Sequence, residues 1–486
     1  MTTHVCRFEP WGVEVEAENL ETVLSAARKG GVPLEAICGG NRACGTCAVE
    51  VLEGRLEEPD EEERAIIKGR SFRLGCRARI AGDVVVRPLV GRASRAPEKN
   101  SMANESVREF PSLDVKNAYV GIDIGTTNVK VALRTDDGLE LRSTVSNSQS
   151  SWGADVVSRL SAALADEHTA KALQETVSRD AIEALQSLQK QASERSACDV
   201  HIQHTVIAAN TIMAALLCGD DLERYARPPY GGDFQLELSG GSLFEELMRN
   251  NDTMIVDVLP PLGRLVGGDV AAGLFALNAY GAVEAPFLFI DIGTNIETVL
   301  VTNEALFVGS APAGSTFSFE GIEGSQALES AVYLLEQGAL LKTGLLDEAH
   351  PLVAREQGEI LVAQVPNGPL TQLDVRAIQL ARAAMSVSIA GVIQASRVNP
   401  LDIAAVYFGG AFSGHIADVI EPLALLPGAL YQNAEFKFCP DIALEGALKL
   451  AHAEAARMTY EKQIIAVDFV KDPNFMQSLL AHLNFQ

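Results

Sequence analysis

One short stretch of this chain occurs twice. Tyr119–Thr127, which carries Asp123, Gly125, Thr126 and Thr127, returns 168 positions later as Phe287–Asn295, which carries Asp291, Gly293, Thr294 and Asn295. Each copy is an apolar run ending in Asp-Ile-Gly-Thr and is followed by a second β-branched run, so each predicts a β-hairpin, over 119–133 and 287–301. A strand that delivers a carboxylate, turns on Gly and exposes Thr hydroxyls and backbone N–H groups suits Mg²⁺ and phosphate. Asp123 and Asp291 are therefore the candidate catalytic pair. An Asp in a Gly turn is also an ordinary turn residue. The repetition implies a duplicated domain with a nucleotide held between its halves.

The familiar alternatives are missing. No GxxxxGK[ST] occurs, which excludes a P-loop, and neither Gly turn matches GxGxxG, so a dinucleotide fold is poorly supported. A third turn, Gly409-Gly410-Ala411, follows the apolar strand 403–408, where paired glycines admit close approach to the adenosine end of a nucleotide. In the order hairpin, hairpin, strand-Gly-Gly, the region 118–486 resembles the superfamily of acetate and sugar kinases, heat-shock chaperone ATPases and actin. That resemblance implies an α/β actin-like ATPase fold that binds ATP with Mg²⁺.

Several further residues of this region carry expectations. Asn210 and Thr211 form a polar pair in an apolar element, suited to a metal-bound water or to a satisfied buried pair. Asp269 reads as the N-cap of a small-residue helix. Thr371 and Asp374 predict a capping box that opens a long helix toward Ser396, packed under the Gly409 loop. His204 and His415 have no partner spacing and read as ordinary.

The N-terminal part differs in kind. Residues 1–92 carry 13 basic and 15 acidic side chains, while the whole chain has a net charge of −25. Two short alternating stretches and a helix containing Leu20, Val23, Leu24 and Ala27, with Asn19 as its N-cap, begin an α+β module of the β-grasp type. Cys38, Cys44, Cys47 and Cys76 follow with the spacing C-x5-C-x2-C-x28-C. A Gly-rich loop of this kind lets thiolates converge while N–H groups soften the charge on sulfur. The pattern resembles the [2Fe-2S] ferredoxins, with the x5 gap of the adrenodoxin type. A four-cysteine zinc site is the alternative, but zinc ribbons pair two C-x2-C knuckles and only one is present.

Around Cys76 the acidic block 57–63 precedes Arg64, Lys68, Arg70, Arg73, Arg77 and Arg79. This predicts a helix matched to its own dipole, or a basic rim that steers a redox partner. Cys6, Cys198, Cys218 and Cys439 fit no ligand spacing and read as buried thiols.

Between the modules, 93–117 has no periodicity and two prolines. It reads as a flexible linker with a reach of roughly 25 to 30 Å. The acidic balance argues against nucleic acid as a partner. No signal peptide and no uninterrupted apolar run of membrane-spanning length is found, so the expectation is a cytoplasmic protein with no membrane contact.

A ferredoxin module joined to this ATPase fold is similar to the reductive activators of corrinoid proteins. The likeness is carried by the four cysteines, Gly153–Arg159, Ala209–Met213, Gly268–Val270, Asp291–Thr294, Thr371–Arg376 and Gly409–Phe412. Pro440-Asp441 departs from it, standing where Gly-Asn is usual. The resemblance implies ATP-dependent transfer of an electron from the cluster to cob(II)alamin, with a corrinoid protein as acceptor and an unidentified donor. It assigns the cluster to the four cysteines. Water-mediated Mg²⁺ falls to Asp123 and Asp291, and phosphate to Gly125, Thr126, Thr127, Gly293, Thr294 and Asn295. An ATP-driven donor to another low-potential enzyme, and a small-molecule kinase with a redox-sensing ferredoxin domain, are the alternatives. A homodimer is left open.

Overall fold

The computed structural model describes residues 3–9, 12–30, 32, 34, 47–60, 63–64, 67, 72–88, 115–153, 155–226, 254–263, 265–279, 285–293, 295–312, 322–356, 360–366, 369–452, 462–467 and 475–485. Cys38, Cys44, Thr294 and most of the expected linker lie outside the described residues.

The N-terminal sheet has the order β2-β1-β5-β3-β4, built from β1 (Thr3–Phe8), β2 (Val13–Glu18), β3 (Ala48–Leu56), β4 (Phe72–Leu74) and β5 (Ile80–Pro88). Strand β2 alternates strictly: Val15 and Ala17 are buried while Glu14, Glu16 and Glu18 face water. The buried face of the sheet receives α1 (Val23–Lys29) through Val23, Leu24 and Ala27. The cap of α1 is Thr22, whose hydroxyl accepts from Ser25 N, and not Asn19. Asn19 sits in the turn after β2, where Leu20 takes φ 70, and bonds His4 instead.

The acidic and basic runs near Cys76 do not form one continuous helix, because Phe72–Leu74 pairs with β3 as an edge strand. Their charges meet one another. Arg73 grips the buried Glu63 through two 2.9 Å bonds, Arg77 pairs with Asp60, and Arg79 donates to Leu20 O. These three arginines therefore brace the fold more than they present a free basic rim. Of the four cysteines without ligand spacing, Cys6 and Cys218 are buried, whereas Cys198 and Cys439 are half-buried.

Two further sheets repeat one plan. The first runs β10-β9-β6-β7-β8, from β6 (Val115–Ile124), β7 (Asn128–Thr135), β8 (Glu140–Ser146), β9 (Asp199–Ala209) and β10 (Ile255–Val258). Strand β6 begins at Val115, inside the stretch expected as linker. The second sheet uses β11 (Phe287–Ile292), β12 (Asn295–Val301) and β13 (Ala305–Pro312), with β17 (Ala405–Gly409) and β18 (Glu435–Phe438) on the other flank. Its order is β18-β17-β11-β12-β13-β19, so one additional strand, β19 (Gln463–Ala466), extends it. The remaining strands, β14 to β16, form a small separate sheet over 353–371. In each large sheet the repeated hairpin is antiparallel and its first strand pairs in parallel with the next strand of the sheet. This is the duplicated, actin-like arrangement that the sequence repeat implied.

Helices α2 (Val156–Ala165), α3 (Glu167–Ser196) and α4 (Thr211–Cys218) share the core of the first sheet. Helix α5 (Gly268–Ala279) packs on the second sheet through Val270, Leu274 and Leu277 against Phe287 and Phe289. The long α6 (Gln372–Ser396) carries the expected Thr371–Asp374 capping box. It shares one buried core with Val406, Phe408 and Phe412, which flank the Gly409-Gly410 turn, and Ser388 Oγ donates to Thr298 Oγ1 at 2.8 Å on β12; the opposite side of the turn rests on Phe289 and Ile442. Among the described helices α6 alone is long and apolar enough to cross a bilayer, and most of it is buried in the core. Finally α7 (Ile442–His452) lies between the sheets. Leu444 and Leu448 cluster with Ala132 of the first half, and Ile442 with Phe289 of the second.

Candidate functional site

The two repeated hairpins bring their aspartates close enough for the charge of Asp123 to act on Asp291. Asp123 ends β6 and pairs across β7 with Lys130; Asp291 ends β11 and pairs across β12 with Glu297. In both turns the Gly N–H closes the hairpin, Gly125 onto Asn128 O at 2.9 Å and Gly293 onto Asn295 O at 3.0 Å. The duplicated scaffold thus presents opposite charges, Lys130 and Glu297, at matching positions.

Burial dominates the electrostatics. It pushes the Asp123 carboxyl up to about 6, with Lys130 opposing and Asp441 adding to the rise. Asp291 is pushed up to about 7 by burial and then by the nearby charge of Asp123. Asp269 and Glu297 are raised well above the carboxylate range, again by burial first and by the other carboxylates second. Burial pulls the Lys130 ammonium down, but Asp123, Asp441 and Asp291 outweigh it. Asp123, Asp269, Asp291 and Glu297 are thus electrostatically linked and hard to ionise together, with Lys130 as the nearby ammonium, although no three of the described acidic, His or Cys side chains converge closely enough to form a metal site by themselves.

The Gly409-Gly410 turn belongs to this centre. Gly410 has φ +81, and a Cβ there would lie 2.3 Å from Ile292 O and 2.5 Å from Asp291 Oδ1. Only glycine admits that approach. The turn therefore touches the Asp291 hairpin itself, next to Ala411, which opens the short 3-10 turn 411–415.

Of the sequence-predicted residues, the structure brings Asp123, Asp291, Gly409 and Gly410 near one another, while Gly125, Thr126 and Thr127 follow Asp123 in its turn and Gly293 and Asn295 follow Asp291 in the other. Asn210 is an N-cap, accepting from Met213 N at 2.9 Å, and the buried Thr211 hydroxyl has no hydrogen-bond partner among the described residues. Asp269 is inside the first turn of α5 and bonds Val270 N, so it is part of the carboxylate group and not the expected cap. Sequence reasoning missed Lys130, Glu297 and Asp441. Strand parity would have flagged the first two, because directly opposed residues share one face of a sheet. Asp441, the unusual residue at the start of α7, pairs with Lys130 at 2.7 Å, and no local pattern marks a contact 311 positions apart.

In the ferredoxin-like sheet, Cys47 is buried and Cys76 half-buried. Their strands are joined by Gly75 N donating to Cys47 O at 2.7 Å, and Gly75 O accepts from Leu24 N of α1. Burial lowers the Arg28 guanidinium, one helical turn beyond Leu24, and the two thiols Cys47 and Cys76 offset that fall. A cation beside two converging sulfurs fits an anionic iron–sulfur cluster.

Two family profiles match the chain. Residues 7–81 match the 2Fe-2S iron-sulfur cluster binding domain, and residues 119–281 match the RACo middle region. In domain content and fold, the chain resembles the reductive activators of corrinoid proteins. A curated relative, the corrinoid activation enzyme RamQ of Eubacterium limosum, is 22% identical over 517 residues, covering 83% of this chain and 85% of the relative. The solved structure of a reductive activator for corrinoid, iron-sulfur protein superposes with a TM-score of 0.62 at 19% identity, covering 99% and 98% of the two chains. The N-terminal module alone is 46% identical over 67 residues to an adrenodoxin homolog of Encephalitozoon cuniculi, 12% of this chain and 52% of the relative.

Proposed function

We propose that this chain is an ATP-dependent reductive activator of a corrinoid protein, built as a [2Fe-2S] domain over 1–92 joined by a tether to an actin-like ATPase that begins with β6 at Val115. When bound, the cluster supplies a single electron and Mg²⁺ neutralises nucleotide phosphates. Cys38, Cys44, Cys47 and Cys76 hold the cluster. Asp123 and Asp291 would position Mg²⁺, and Thr126, Thr127, Thr294 and Asn295 would hold phosphate. Lys130 balances charge on the first hairpin, and its pairing with Asp441 ties that hairpin to α7, which touches both sheets.

The energetic need for ATP follows from potential. A cluster near −400 mV is a weak donor to cob(II)alamin. Each 100 mV of one-electron deficit costs about 2.3 kcal/mol. Closure of the two halves on nucleotide would favour docking to a corrinoid protein whose cobalt has lost its lower ligand and is easier to reduce. The observation that supports this reading is the opposition of Asp123 and Asp291 in a chain that also carries a ferredoxin-type sheet.

The test is anaerobic. The protein, an electron donor, ATP and a corrinoid methyl-carrier should together raise the cob(I)alamin absorption, and no rise under these conditions overturns the proposal. Iron analysis tests the ligands separately: Cys44→Ala that keeps two irons per chain removes Cys44 from the set.

A further inference from the structure

The first hairpin turn is held from behind by an unusual set of bonds. Gly125 O accepts from Asn147 Nδ2 at 2.8 Å, Thr126 O from Arg159 Nη2, and Thr127 O from Asn147 N at 2.7 Å. Three successive carbonyls are thus drawn toward the same supporting segment, 147–159. Because a trans peptide points its N–H opposite its carbonyl, pinning Gly125 O and Thr126 O turns the N–H groups of Thr126 and Thr127 away from that support. Neither N–H has an acceptor among the described residues. Consecutive outward N–H groups form a concavity for an anion.

Arg159 is the centre of this support and is fully buried. Its other bonds go to uncharged acceptors, Gly153 O at 3.0 Å, Gln149 Oε1 at 3.0 Å and Met213 Sδ at 3.5 Å. Gln149 is itself fixed, its Nε2 donating to Leu173 O at 2.8 Å and its backbone N–H donating to Asn147 Oδ1 at 3.0 Å. Asp155, the nearest acid to influence Arg159, spends its carboxylate on capping α2 through Val157 N, Ser158 N and Ser158 Oγ. Among the described residues Arg159 makes no ion pair within 4.0 Å. A buried guanidinium whose hydrogen bonds all go to uncharged atoms, with its charge only partly offset by Asp155 acting through space, favours an anion nearby.

We infer that Arg159 is a positioning residue for phosphate: through the Thr126 carbonyl it aims the Thr127 N–H, and it places a buried positive charge behind the turn that receives a nucleotide's polyphosphate. The inference rests on the nucleotide reading above. Arg159 touches no ligand itself, and its effect is specific to the charged end of the nucleotide.

The experiment measures dissociation constants of MgATP, MgADP and adenosine by calorimetry on the full-length chain, as wild type, R159K and R159Q. R159Q should weaken both phosphorylated ligands by about tenfold or more while adenosine changes less than about twofold. R159K, which keeps the charge but loses the planar fork, should fall between. Equal weakening of ATP and adenosine would mean a general packing role and overturn the inference, as would unchanged ATP affinity in R159Q. If R159Q fails to fold, R159K alone decides by the same ratio of ATP to adenosine affinity. Wild-type protein that binds none of the three ligands overturns the nucleotide reading, and this inference falls with it.

Discussion

Substituting Gly446 by Ala tests how the two halves are joined. Gly446 lies in the middle of α7, and a Cβ there would sit 1.9 Å from Ala272 O and 2.4 Å from Ala272 C on α5. On the same helix, Leu448 N comes within 2.5 Å of where a Cβ on Gly121 of β6 would be. Helix α7 is therefore wedged between backbone on both sides, with no flexible side chain to yield. Restoring even 3.0 Å at Gly446 requires about 1.1 Å of separation between α7 and α5. In an open helix Gly→Ala stabilises by about 1 kcal/mol. Overpacking a rigid contact costs about 1–3 kcal/mol, and backbone on both sides places this site at the upper end. The net expectation is a loss of about 1–2 kcal/mol, or a Tm lower by about 1–3 °C for a unit of this size. Thermal unfolding followed by circular dichroism, with and without MgATP, reads the effect. The stabilisation given by nucleotide should also shrink, because α5 and α7 meet between the two sheets and each packs against both. A variant that melts higher than wild type would show that helix propensity prevails and that the helices are not in such contact.

Three other outcomes follow from the same geometry. Raised carboxyl pKa values mean that between about pH 4 and 7 the folded protein binds more protons than the unfolded chain, so the Asp123 and Asp291 contribution to stability is full below about 3.8 and is lost as pH rises through about 6 and 7. Urea unfolding without Mg²⁺ should therefore show wild type losing stability relative to Asp291→Asn across that window, and a difference that stays flat or rises refutes the burial argument. Glu63 is 1% exposed and accepts from Arg73 twice and from Leu74 N, so Glu63→Ala should destabilise the N-terminal module by about 3–5 kcal/mol. Denaturant-induced bleaching of the cluster would report it, and an unchanged midpoint would deny the pair its structural role. Arg28→Gln should keep two irons per chain and lower the cluster midpoint potential by an amount on the order of tens of millivolts, read by anaerobic redox titration. An unchanged potential would separate Arg28 from the cluster.

Much of the architecture was legible because it is local. The hairpins at 119–133 and 287–301 are written in apolar alternation and a Gly turn, the α6 start in Thr371 and Asp374, and the duplication in the repeat itself. Where local signals competed, the sequence misled. Asn19 looked like a cap, but the chain turns through Leu20 first and Thr22 takes the role. The acidic and basic runs near Cys76 looked like a dipole-matched helix, yet bringing Phe72–Leu74 against β3 pairs Arg73 with Glu63 and Arg77 with Asp60.

The amino-acid sequence by itself determined the two kinds of module, the paired Asp123 and Asp291, and the four cysteines, because each depends on residue type and spacing within a short segment. Only the tertiary structure decided what surrounds them. Lys130 finds Asp441 across 311 positions, Asp269 and Glu297 join the paired aspartates, Gly410 closes on Asp291, and Arg159 reaches Thr126 from another element. These contacts depend on how strands and helices stack, and charge buried by stacking changes its chemistry in a way that no single segment encodes.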